Sequence, residues 1–81
     1  MKIEVLGPGC KRCDQLYENV RAAVEDFDSS EGIDVIKVSD ISYFTQMGVF
    51  MTPGLVIDGD VISVGKVLPA DDIKRKIKEK L

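Results

Sequence analysis

The amino-acid sequence predicts an α/β fold, a four-stranded mixed sheet with helices on both faces, in the order β-α-β-α-β-β-α. Three observations carry that prediction. Short β-branched runs alternate with segments of helical period. An Asp-Gly pair joins two of those runs, and 81 residues leave room for one core, so residues 1–81 read as a single domain.

The first strand is Lys2-Ile3-Glu4-Val5-Leu6, which alternates and stops at Gly7-Pro8-Gly9, a cluster that no regular element crosses. From Lys11 to about Asp28 the apolar residues Leu16, Val20, Ala23, Val24 and Phe27 fall on one helical face, the first helix. Ser29-Ser30-Glu31-Gly32 breaks the chain, and Ile33 to Val38 forms the second strand. Asp40 reads as an N-cap for a helix of about two turns, with Ile41, Phe44 and Met47 at helical spacing and Gly48 placed to end it. Asp58-Gly59 tolerates the positive φ of a type I′ turn, so Gly54–Ile57 and Asp60–Val64 form an antiparallel hairpin. The last helix starts near Pro69 or Ala70 and buries Ile73, Ile77 and Leu81. Acidic Asp71 and Asp72 open it and Lys76, Lys78 and Lys80 close it, an order that complements the helix macrodipole. A strand, a crossover helix and a strand imply a parallel pair, to which the hairpin adds antiparallel strands.

Composition narrows the chemistry. Hydrophobic residues make up 44% and charged residues 31%, a mix that folds rather than one that stays disordered. Eleven basic against 14 acidic side chains give a net charge of -3 with no basic patch to track phosphates, which argues against nucleic acid. The only basic excess lies in residues 67–81, where the helix dipole already accounts for it. No apolar run approaches the ~18 to 20 residues that span a bilayer, and no signal-peptide layout opens the chain, so a cytoplasmic protein without a membrane partner is expected. The chain contains no histidine, which removes Ser-His-Asp and Cys-His catalysis and every His-ligated metal site.

What remains is Cys10-Lys11-Arg12-Cys13, placed where the first loop becomes the first helix. One helical turn brings the two sulfurs within bridging reach. The unpaired N–H groups of a helix N-terminus, with Lys11 and Arg12 as pKa-tuning cations, favour thiolate over thiol. Cys10 is then the exposed nucleophile, and Cys13, pointing back under it, resolves a mixed disulfide. A purely structural disulfide is the poorer reading, because so small a ring contributes roughly 2 kcal/mol at most. Two thiols packed as small apolar residues fit badly beside two cations in a glycine-flanked loop. As a metal site, two thiolates supply half of a tetrahedral zinc shell with no further cysteine or histidine to complete it, so no resident metal or other cofactor is expected. Cu(I), which accepts two thiolates, is the alternative function.

With these residues in view, the chain resembles a known family. A strand, Cys-x-x-Cys at a helix start, and Thr52-Pro53 leading into a hairpin look like a minimal thioredoxin or glutaredoxin fold. More closely, Gly7-x-Gly9-Cys10-x-x-Cys13 with Thr52-Pro53-Gly54 and Asp58-Gly59 resembles the small thioredoxin-like redox-active disulfide proteins of archaea and bacteria, over the whole chain. The resemblance implies a thiol-disulfide oxidoreductase or electron carrier acting on disulfide-containing proteins or small thiols, recharged by an unidentified reductase, and a monomer. It also implies a cis Pro53 packed against the cysteines, with Thr52 and Pro53 forming the substrate-binding backbone.

The chain departs from the larger families at several points. Its dipeptide is Lys-Arg rather than Gly-Pro or Pro-Tyr, and no tryptophan precedes Cys10. Gly65-Lys66 stands where a glutathione site has Gly-Gly, and Lys66 reads as a solvated lysine, with a grip on a small thiol's carboxylate as the alternative. Glu4 reads as facing an exposed edge, or else as a proton acceptor below the cysteines. Phe50, Met51 and Leu68 are expected to gather near Pro53 as an apolar rim, or to serve as ordinary core.

Overall fold

A computed structural model of the chain describes residues 1–27 and 32–81. The elements follow the predicted order: β1 (Lys2–Leu6), α1 (Lys11–Glu25), β2 (Asp34–Val38), α2 (Ile41–Gln46), β3 (Gly54–Ile57), β4 (Asp60–Val64) and α3 (Ala70–Lys80). The expected break at Ser29, Ser30 and Glu31, and the expected helix end at Asp28, lie outside the described residues.

The strands are arranged β2-β1-β3-β4, with β1 parallel to β2 and antiparallel to β3. The β3–β4 hairpin turns at Asp58 and Gly59, whose φ values of 49° and 85° are those a type I′ turn demands. Asp58 also ties the turn to β1, its carboxylate accepting from the Lys2 amide at 2.7 Å.

Strand alternation sends Ile3 and Val5 of β1 and Leu55 and Ile57 of β3 to one face. There they meet Leu16, Val20 and Ala23 of α1 and Ile73 and Ile77 of α3 in the main core. The opposite face carries a smaller core of Leu6, Phe44, Val49 and Val56 under α2. The sheet thus has helices on both faces, two on one side and one short helix on the other.

Several boundaries and side chains differ from expectation. α1 stops at Glu25, where Asp26 caps it, and Phe27 reaches the main core from beyond the helix end. β2 begins at Asp34 rather than Ile33. Within α2 only Phe44 is buried, and Ile41 is 70% exposed, because a six-residue helix presents one apolar position squarely to the sheet. Leu81 is 59% exposed, at the C-cap past the end of α3.

Glu4 corrects a sequence expectation outright. β1 is an inner strand, paired on both sides, so Glu4 is not at an exposed edge and is buried. It lies on the α2 face, where its carboxylate pushes the Tyr43 hydroxyl above its ordinary value. The basic helix α3 is engaged within the chain: Lys74 pairs with Asp26 after α1, and Lys80 with Asp60 at the start of β4. Among the described residues, no helix is long and apolar enough to cross a membrane.

Candidate active site

Leu6 carries the chain to the end of β1, and the Gly7 amide extends the pairing with β2 by donating to the Val38 carbonyl at 2.9 Å. Gly9, at φ 96°, then turns the chain into α1 in a conformation that favours glycine. Cys10 is the N-cap of α1, and its Sγ accepts the Cys13 amide at 3.3 Å. That contact replaces the usual hydroxyl or carboxylate cap with sulfur, so the reactive atom itself meets an unpaired N–H of the first turn.

Cys10 is exposed and Cys13 buried, both free, with their sulfurs 2.6 Å apart in a thiol-thiol hydrogen bond. The Cys10 thiol is pushed below its ordinary value, chiefly by the hydrogen bond from the Cys13 thiol and then by the Cys13 amide. The Cys13 thiol is pushed up, first by burial and then because it serves as donor to Cys10. One sulfur is therefore accessible and stabilised as thiolate, while the other is shielded and holds its proton.

Gly7 provides the seat for the buried sulfur. A β-carbon at Gly7 would fall 2.3 Å from Cys13 Sγ and 2.8 Å from Cys13 Cβ. The glycine was legible in the sequence as a chain breaker; its second role as the wall behind Cys13 has no local signature.

The two dipeptide side chains behave differently from one another. Lys11 and Arg12 are both exposed, but only the Arg12 guanidinium crosses to the loop after β4, where it donates to the Gly65 carbonyl at 2.7 Å. The Arg12 backbone N–H is a minor contributor to lowering Cys10. Gly65 in turn donates its amide to the Pro53 carbonyl at 2.8 Å. A continuous chain of contacts thus joins the helix start, the β4–α3 loop and the Thr52–Pro53 peptide, which is cis.

Thr52 is half-buried and Pro53 buried. Beside them a groove of about 320 Å³ opens between Pro8 and Thr52, floored by Phe44 and Val49 and flanked by Phe50. The expected trio divides: Phe50 and Met51 are exposed, at 79% and 65%, while Leu68 packs on the main core with its carbonyl accepting from Asn19. Lys66 is exposed beside Gly65.

The sequence matches the family model described as a thioredoxin domain over residues 1–78. It is 38% identical to a thioredoxin of Methanocaldococcus jannaschii, over 98% of this chain and 88% of that one. The chain belongs to the thioredoxin family. A thioredoxin of Methanothermobacter thermautotrophicus is 34% identical over 93% of this chain and 95% of its own. The four-stranded sheet with its three helices is a thioredoxin-like fold, Cys10 and Cys13 fit the family's Cys-x-x-Cys, and the protein is a thiol-disulfide oxidoreductase. The copper-binding alternative gains no support from these relatives. Among the described residues no cluster of three or more Cys, Asp or Glu side chains stands ready for a metal.

Proposed function

We propose that the reduced protein transfers two electrons to disulfides of target proteins, with Cys10 as nucleophile and Cys13 as resolving thiol. The observation that carries this reading is the asymmetry of the pair: an exposed sulfur pushed toward thiolate beside a buried one pushed toward thiol. The Cys10 thiolate attacks one sulfur of the target, the target's S–S bond breaks, and the departing thiolate takes up a proton. Cys13 then loses its proton and attacks Cys10 in the mixed disulfide. The second target thiolate leaves, and a Cys10–Cys13 disulfide forms. The target gains two electrons and two protons, and a reductase must return them before the next cycle.

The target chain lies along the cis Thr52–Pro53 peptide, with the groove lined by Pro8, Phe50 and Thr52 taking a neighbouring side chain.

An insulin-reduction assay with dithiothreitol as electron source tests the activity, and trapping tests the roles. Cys13→Ser should accumulate mixed disulfides with insulin, and Cys10→Ser should not. Trapping through Cys13 instead would reverse the roles, and no reduction by the wild type would dismiss the reading. Protein prepared without chelator should form the Cys10–Cys13 disulfide in air. Stoichiometric metal that blocks this oxidation would move the function to metal binding.

A further inference from the structure

Charge is unevenly satisfied over the surface. Lys37 pairs with Asp14, Lys74 with Asp26 and Lys80 with Asp60. Around Cys10 the pattern differs: among the described residues, Lys11, Arg12 and Lys66 have no carboxylate within ion-pair distance. Lys2, Arg21 and Lys78 also lack one, but Lys2 and Arg21 line a separate cleft at the far end of β1 and Lys78 lies in the last turn of α3, where it complements the helix dipole. Lys11 and Arg12 directly follow the exposed sulfur, and Lys66 directly follows the residue whose carbonyl Arg12 holds.

The Arg12 contact is solvent-exposed and made to a neutral carbonyl. A carboxylate is the stronger partner for a guanidinium, because it accepts two parallel charged hydrogen bonds in a matching planar geometry. Gly65 is held independently through its amide on Pro53, so release of its carbonyl need not displace the loop.

We propose that Arg12 is a specificity-determining latch: it exchanges the Gly65 carbonyl for an Asp or Glu beside the target's reactive disulfide, with Lys11 and Lys66 reinforcing the choice. This inference rests on the proposed attack of Cys10 on protein disulfides. That attack brings a target sulfur onto Cys10, and residues one or two places along the target fall within ~7 Å of it, while Arg12 stands two positions from Cys10 and Lys66 adjoins the residue that Arg12 holds. The net charge of -3 opposes an acidic target at long range. At contact the three local cations outweigh it, since charges more than ~10 Å away are largely screened at ordinary ionic strength.

Two synthetic peptides provide the test, each with one intramolecular disulfide and differing only in Asp-Glu or Asn-Gln flanks. Prereduced protein is mixed with each in single turnover, and the ratio of their second-order rate constants is read. The wild type should prefer the acidic peptide roughly three- to tenfold, with the preference shrinking as salt rises. Arg12→Gln should bring the ratio close to one, and Arg12→Lys should restore part of it. A change in Cys10 reactivity, or a merely structural role for Arg12, would slow both peptides by the same factor and leave the ratio intact. That result overturns the proposal, as does a wild type that treats the peptides alike. If neither peptide is reduced, the underlying oxidoreduction of protein disulfides fails and the latch with it.

Discussion

Gly7 and Cys13 are so closely opposed that the missing side chain of one is the space occupied by the sulfur of the other. Both Sγ and Cβ of Cys13 border that space, so turning the cysteine to another rotamer does not relieve an added methyl. Gly7→Ala should therefore cost about 1–3 kcal/mol, the usual range for overpacking a filled site. Urea unfolding followed by circular dichroism reads the cost as a lower midpoint at unchanged slope. The displaced Cys13 should also react faster with iodoacetamide. An unchanged midpoint would mean that the start of α1 slides freely.

The opposed shifts of the two thiols set a pH window for selective chemistry. Cys10 titrates below its ordinary value and Cys13 above it, so between the two the outer sulfur is thiolate and the inner one is not. Iodoacetamide at neutral pH, followed by peptide mapping, should label Cys10 first. Cys13→Ala removes the thiol that donates to Cys10, and its Cys10 titration, followed by thiolate absorbance, should move upward toward the ordinary cysteine value.

Tyr43 offers a stability signature on the alkaline side. Its hydroxyl is raised above its ordinary value near 10 by the hydrogen bond to Glu4, with burial and the carboxylate charge adding to it. A group raised in the folded state contributes stability that is complete below its unfolded value and fades as pH climbs through the folded one. The melting temperature should fall more steeply above pH 10 in the wild type than in Tyr43→Phe. Parallel curves would show that Tyr43 gains nothing from Glu4.

Ile73 is fully buried between α3 and the sheet. Ile73→Ala should cost about 2–5 kcal/mol, a large share of what a chain of this size holds in reserve. Denaturant titration should show it, and a smaller loss would mean that α3 settles inward. Leu81→Ala, at a position that sequence periodicity places on the same stripe, should be close to neutral because the side chain is exposed.

The elements were readable because each has a local cause. Asp58-Gly59 dictates its turn, Asp40 caps α2 by accepting the Ser42 amide, and the spacing of Leu16, Val20 and Ala23 matches the helical period. The Cys-x-x-Cys pair was equally local, since its geometry is one turn of one helix. Relationships between distant segments were not readable. Nothing in Lys11-Arg12 shows which of the two cations bonds to Gly65, 53 positions from Arg12. Glu4 looks like an edge residue until β3 is known to pair alongside it, and Ile41 looks buried until α2 proves too short to press it against the sheet.

The placement of β1 bears on how the chain assembles. Its parallel neighbour β2 is reached through α1, but its other flank waits for β3, and the Lys2 amide meets the Asp58 carboxylate across 56 positions. During synthesis the amino-terminal β-α-β unit emerges with one side of its inner strand unpaired, an open template for any extended segment nearby. The late hairpin closes that edge. Loop-closure entropy opposes so long-range a pairing, so the docking of a preformed β3–β4 hairpin onto β1 is the natural slow step of folding.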